Sequence, residues 1–244
     1  MEPIYQTDFE VTERDVDCMG RLLPSRILSY AQQAAGMHSI ELHVGYDTLE
    51  KKRMFWAVRR CKVQLARLPR LGETLHLETW PMPPTQISYP RSLVAYDTQG
   101  QEVFRAISEW VLMDLDTRDW VSPQESGLSL IGTLRGSELA LPGGLPVRRL
   151  KNSRNRQVCY TDLDRNGHMN NCRYLDWICD LLPSTFHNAH ELREITVCYM
   201  KEAREGQQLE LRWDFTEDGC LRTDAHRQED GKDSRIFSAR LLYE

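Results

Sequence analysis

Apolar positions along the chain follow two periods. Ile27, Leu28, Ala31, Ala34 and Ala35 recur at helical spacing, and so do Cys172, Leu175, Ile178, Cys179 and Leu182 before Pro183 closes the run. Ser25 can cap the first helix, and Asn170 or Asn171 the second. Stretches that read as strands surround them: 8–14, 54–66, 73–80, 87–97 and 102–114, then 156–162, 191–200, 208–215, 221–228 and 234–244. Turn-forming residues fill the gaps at 97–100, 216–219 and 229–231. One helix followed by antiparallel strands is an α+β pattern, with a sheet wrapped around a central helix. It occurs twice.

The two occurrences align. Residues 11–30 laid over 158–177 bring Val11, Asp15, Asp17, Gly20, Arg26 and Leu28 onto Val158, Asp162, Asp164, Gly167, Arg173 and Leu175. Residues 63–77 laid over 197–211 match Val63, Arg70, Gly72, Leu75 and Leu77 with Val197, Arg204, Gly206, Leu209 and Leu211. The order is the same in both halves, as a duplicated unit requires. Residues 1–120 therefore form one unit and 148–244 the other. The segment 121–147, rich in Gly, Ser and Pro, joins them.

Composition narrows the function classes. The chain has 244 residues, a net charge of −5 and 41% apolar residues, so it reads as a soluble globule and not as a general nucleic-acid binder. No apolar run approaches the roughly 18 residues of a membrane span, and the first residues show neither signal nor transit peptide. The expectation is a bacterial cytoplasmic protein. Its seven cysteines, without a C-x-x-C pair, read as reduced thiols with no zinc site.

The segment DLDRNGHMNN, 162–171, opens like a calcium loop. The twelfth position, where that loop needs a carboxylate, is Arg173, and a strand precedes it where a helix should be. A turn alone explains Asp162 and Asp164, since Asp15 and Asp17 stand at the same places in the first unit. It does not explain Asn166, His168 and Glu202, whose counterparts are Met19, Arg21 and Leu68. One live site and one degenerate copy would leave this pattern.

With Asp164, Asn166, His168, Asn170, Asn171, Tyr174 and Trp177 all in place, the segment resembles the active-site motif of acyl-acyl carrier protein thioesterases. Residues 55–80 and 105–123 resemble that family's first half, and Tyr199 and Glu202 match its later carboxylate segment. The resemblance implies two tandem hotdog domains, the first binding the acyl chain and the second catalytic, and hydrolysis of fatty acyl-acyl carrier protein without cofactor or metal. An acyl-CoA thioesterase and a non-catalytic acyl-binding hotdog protein are the alternatives.

The implied catalytic set is Asp164, Asn166, His168 and Glu202. Ala203 stands where plant members often carry Cys, which excludes a thiol nucleophile there. Water attack follows, with Glu202 or Asp164, oriented through His168, as base, Asn166 on the thioester or the water, and the helix N-terminus near the oxyanion. The family's layout places acyl contacts at Ala31, Ala35, Met37 and Trp56. Trp80, Trp110 and Trp120 read as core, and His38 and His43 as ordinary partly buried histidines. The basic run Arg148, Arg149, Lys151, Arg154 and Arg156 is the expected docking face for an acidic carrier protein. The sequence leaves a homodimer open.

Overall fold

A computed structural model describes residues 3–229 and 231–244. The first half runs β1 (Tyr5–Glu10), α1 (Pro24–Glu41), α2 (Tyr46–Lys51), β2 (Met54–Leu65), β3 (Thr74–Pro81), β4 (Tyr89–Tyr96), β5 (Glu102–Asp114) and β6 (Trp120–Val121). The second runs β7 (Asn152–Gln157), α3 (Arg173–Cys179), α4 (Ser184–Ala189), β8 (Leu192–Tyr199), β9 (Gln208–Phe215), β10 (Cys220–Glu229) and β11 (Lys232–Tyr243). The turn expected at 229–231 includes residue 230, which lies outside the described residues.

The strands form one antiparallel sheet in the order β1-β3-β4-β5-β2-β8-β11-β10-β9-β7, with β6 beside β5. Read outward from its centre, each half repeats the other: β2-β5-β4-β3-β1 on one side and β8-β11-β10-β9-β7 on the other. The duplication is thus visible in the topology. The halves meet where β2 pairs with β8, from Arg60 opposite Cys198 to Gln64 opposite Glu194.

Alternation sets the inner face of each strand. In β3, Leu75 and Leu77 are buried while His76 and Glu78 are not. These inward residues close on α1 and α3, which pack against each other in a core shared by both halves. Leu28 and Tyr30 come from α1, and Tyr174, Leu175 and Ile178 from α3. Burying one such leucine or isoleucine contributes about 1.5–3 kcal/mol, so Ile178→Ala is a core-breaking change.

Several boundaries differ from the sequence reading. α1 begins at Pro24, which suits a first helical turn, and Ser25 lies inside the helix instead of capping it. The strands expected at 8–14 and 156–162 end earlier, at Glu10 and Gln157. Val11 and Val158 are buried, but each leaves its ladder and a short 3₁₀ turn follows. The second helical stripe reaches Leu182, yet the regular helix stops at Cys179 and turn hydrogen bonds carry the chain on to Pro183.

Residues 122–151 hold no regular strand or helix but are fastened to the sheet. Thr133 N–H donates to Pro81, Arg60 to the Pro142 carbonyl (3.3 Å), Arg235 to Leu145 (3.1 Å) and Arg222 to Pro146 (3.2 Å). Gly132 lies so close that a Cβ there would clash with the backbone of Met82 and Pro83. All seven cysteines are free. Among the described residues no helix is long and apolar enough to cross a membrane.

Candidate active site

The loop that leads into α3 is built by Asp164. Its Oδ1 accepts the N–H of Asn166 (2.8 Å) and of His168 (3.2 Å), and its own N–H donates to the His168 carbonyl (2.7 Å). Gly167 adopts φ +75°, a conformation that glycine supplies without strain. Asp162 is buried beneath, accepting from Cys159 N–H (2.9 Å) and Trp177 Nε1–H (3.2 Å). That role points its carboxylate inward. Among the described residues no cluster of three or more His, Cys, Asp and Glu could hold a metal ion.

His168 then forms a β-bridge with Arg204, which lays it beside residues 200–204. Its Nε2 lies 3.1 Å from Glu202 Oε2, with the ring nearly buried (12% exposed) and the carboxylate open (45%). Arg118 Nη2, from the loop between β5 and β6, reaches the same oxygen at 3.5 Å while its guanidinium stacks over Phe55 at 4.8 Å. The first half therefore supplies a cation to the second half's carboxylate. Nothing in the sequence marked Arg118, because 84 residues separate it from Glu202.

Asp164, Asn166, His168 and Glu202 all line one cleft of ≈ 560 Å³, between β2 and β8. A second, mostly apolar cavity of ≈ 360 Å³ runs along α1 in the first half. Tyr46, Phe55, Trp56 and Asn166 border both, so the two adjoin. Arg165 stacks on Tyr46 at 3.7 Å at this junction.

The residues expected to touch an acyl chain divide. Ala35 and Trp56 line the apolar cavity. Ala31 packs against the core, and Met37 is 49% exposed; neither borders a cavity. Trp80 is core, but Trp110 lines the apolar cavity and Trp120 is 54% exposed under Arg59. His38 is fully buried, whereas His43 is exposed.

The basic run lies on and before the edge strand β7, not on the cleft wall. Arg156 pairs with Asp180 (2.6 Å) and stacks on Trp177, Lys151 pairs with Asp214 (3.4 Å), and Arg154 donates to the Asp180 carbonyl (3.0 Å). Arg148 and Arg149 are exposed. The cations on the cleft are Arg59, Arg118 and Lys201 instead.

One expectation about the chemistry changes. The α3 N-terminus is already occupied: Asn170 accepts Cys172 N–H on Oδ1 (2.9 Å) and Arg173 N–H on its carbonyl (2.9 Å). Asn166 and Asn171 line the cleft. No cysteine lines either cavity. Burial pushes the Cys61 and Cys172 thiols up to about 12, which keeps them protonated at neutral pH.

Comparison with known proteins gives the family and the fold. The family model described as acyl-ACP thioesterase N-terminal domain matches residues 2–126, and that described as acyl-ACP thioesterase C-terminal domain matches 148–241. The oleoyl-acyl carrier protein thioesterase 1 of Arabidopsis thaliana is 29% identical over 226 residues, covering 82% of this chain and 61% of its own. The palmitoyl-acyl carrier protein thioesterase of Gossypium hirsutum is 30% identical over 161 residues, 62% of this chain and 39% of its own. This chain spans about 60% of the length of the curated oleoyl-acyl carrier protein thioesterases that it matches. An acyl-ACP thioesterase structure from Bacteroides thetaiotaomicron superposes with a TM-score of 0.85 at 22% identity, covering 99% of this chain and 98% of its own. The 12:0-ACP thioesterase of Umbellularia californica gives 0.84 at 20% identity, covering 100% and 98%. Both show the fold.

Proposed function

The chain belongs to the acyl-ACP thioesterase family, and from that premise we propose that it hydrolyses the thioester of a fatty acyl chain carried on acyl carrier protein, releasing the free acid. The observation that carries this reading is the His168–Glu202 pair, 3.1 Å apart, in a cleft that adjoins an apolar cavity. The acyl chain occupies the cavity of the first half, residues 1–120. The reaction runs in the second, residues 148–244, and 121–147 joins them.

Glu202 is the base. Its side chain is 45% exposed and pairs with His168, whereas Asp164 Oδ1 is committed to two backbone N–H groups. His168, donating from Nε2, orients the carboxylate. Glu202 accepts a proton as the water oxygen bonds to the thioester carbon, and the oxyanion is held by the Asn166 amide, a donor of the kind that lowers a barrier by about 3–4 kcal/mol. The carbon–sulfur bond then breaks. A thiolate with a pKa near ~8.5 leaves without strong acid assistance and takes the proton back from Glu202. The acidic carrier is steered by the cations on the cleft, Arg59, Arg118 and Lys201, and not by the run from Arg148 to Arg156, which lies on and before the edge strand β7.

Single-turnover hydrolysis of matched acyl-carrier-protein and acyl-CoA thioesters tests this reading. Glu202→Gln and His168→Ala are each expected to lose about 10²–10⁴-fold. Near-normal turnover in a folded variant removes that residue from the mechanism, and a trapped acyl-enzyme overturns water attack. Equal rates on acyl-CoA would move the substrate away from the carrier protein.

A further inference from the structure

The apolar cavity ends on a charge. Arg91, on β4, lines it, and its Nη1 donates to His38 Nδ1 (3.1 Å) and Thr79 Oγ1 (3.3 Å). His38 accepts there, so that nitrogen carries no proton. Both bonds use one nitrogen. Nε and Nη2 have no protein partner among the described residues, and neither is among the sealed polar atoms that lack one. Both are therefore accessible, on a residue that lines the cavity. No carboxylate pairs with Arg91 among the described residues, and burial alone pulls its pKa down to about 10. A guanidinium so placed is costly unless something neutralises or hydrogen-bonds it.

The strand register locates it. Trp56, at the junction with the catalytic cleft, pairs with Leu112 on β5, and Arg91 pairs with Ser108 on the same strand. At ~3.3 Å per residue and ~4.8 Å per strand, the two Cα positions lie roughly 16 Å apart. Arg91 thus faces the far end of a chain whose thioester sits at Asn166 and Glu202. The surroundings it interrupts are apolar: Ala35, Ile40, Trp56, Tyr89 and Trp110.

We propose that Arg91 forms a polar subsite at the distal end of the acyl cavity, which takes an acyl chain bearing an oxygen acceptor (hydroxyl, keto or carboxylate) at its far end. An unsubstituted chain of the same reach must leave the guanidinium without a partner and bury its methyl end against it. Arg91 therefore determines specificity in two ways: it favours oxygenated chains, and it sets the length at which plain chains are rejected. This rests on the acyl-binding role given to the cavity above.

The test is a binding series on the whole chain, read by the fluorescence of Trp56 and Trp110. Free alkanoic acids of increasing length are compared with ω-hydroxy and α,ω-dicarboxylic acids of equal length. At the length that reaches Arg91, the oxygenated acids are expected to bind about 10- to 100-fold more tightly than the plain acid, the worth of a hydrogen bond to a charged group. The hydroxy and dicarboxylic arms show whether a neutral or an anionic oxygen is preferred. Arg91→Met is expected to invert the ratio and lengthen the plain chains accepted, in binding and in hydrolysis of the corresponding carrier thioesters. Equal affinity at every length in the wild-type protein overturns the proposal, as does an unchanged ratio in folded Arg91→Met. If Arg91→Met does not fold, the wild-type series decides alone. If no thioester is hydrolysed, the hydrolase reading fails while the binding ratio still reports on Arg91.

Discussion

The two loops that lead into α1 and α3 share a backbone and differ in what they hold. Val16 bridges Leu22 as Leu163 bridges Met169, and Arg21 bridges Arg70 as His168 bridges Arg204. Asp17 Oδ1 accepts the N–H of Met19 (2.8 Å) and of Arg21 (2.9 Å), as Asp164 does those of Asn166 and His168. Gly20 and Gly167 take φ +71° and +75°. The turn is a device for presenting the side chain one residue after the glycine. In the first half that side chain is Arg21, which folds back onto Asp17 at 3.0 Å; in the second it is His168, which turns away to Glu202. Leu68 at the place of Glu202 gives Arg21 nothing to reach. The two halves differ here at three substituted positions on a scaffold that both keep: Asn166, His168 and Glu202 stand in place of Met19, Arg21 and Leu68.

The comparison breaks most sharply at the paired aspartates. Asp164→Ala and Asp17→Ala each remove an acceptor of two backbone N–H groups. Each is expected to cost about 1–2 kcal/mol, a melting shift of roughly 3–6 °C. Turnover should separate them. Loosening the loop that aims His168 should cost on the order of 10²-fold, while Asp17→Ala stays within about twofold of wild type because no reacting group hangs from its loop. Comparable losses would mean that both halves take part in the reaction. Asp164→Asn sharpens the point, since an amide oxygen can still accept the two N–H bonds. Recovery to near wild type makes Asp164 a brace, and an Asn variant as poor as Ala makes its charge part of the reaction.

The repeat itself was legible in the sequence because it is carried by Asp, Gly and buried apolar residues, whose spacing the backbone dictates. The strands from 54 to 114 and from 191 to 244 were legible for the same reason. What was not legible depends on contacts across the sheet. Arg118 reaches Glu202 only because β5 lies beside β2 and β2 beside β8. Trp110 reads as a core residue in the sequence, yet it lines the cavity along α1. Val158 suggested a continuing strand, although its apolar side chain says only that the position is buried. The segment 121–147 looked like a slack linker, yet Arg60, Arg222 and Arg235 hold its carbonyls from the other side of the fold.

A smaller effect tests the link between the halves. Arg118 sits at φ 62°, pairs with Glu202 and stacks on Phe55. Both side chains of the pair are two-fifths exposed or more, so the interaction is that of a screened surface pair. Arg118→Ala should lower turnover roughly 2- to 5-fold, less so at high salt. Arg118→Lys keeps a charge but loses the planar stack, and should fall between the two. An effect as large as that of Glu202→Gln would place Arg118 in direct contact with the substrate.

The smallest expected effect separates the halves by pH. Under the first loop, Asp15 accepts from the backbone N–H (3.1 Å) and hydroxyl of Thr12 and lies 3.6 Å from Arg26. Under the second, Cys159 replaces Thr12, and Arg173, at the place of Arg26, pairs with Asp176 instead (3.0 Å). Burial raises the Asp15 pKa, but the Thr12 hydrogen bonds and Arg26 outweigh it and hold the carboxyl below its ordinary 3.8. A depressed carboxyl stabilises the fold fully above the unfolded value, and that stability is lost as pH falls through the folded value. Asp15→Asn should therefore cost about 1–2 kcal/mol at pH 7, and the deficit should shrink as urea melts are taken below the ordinary carboxyl pKa of 3.8. A deficit that stays constant with pH would mean that Asp15 contributes through shape and not through charge. The first loop would then lack the electrostatic fastening that distinguishes it from the second.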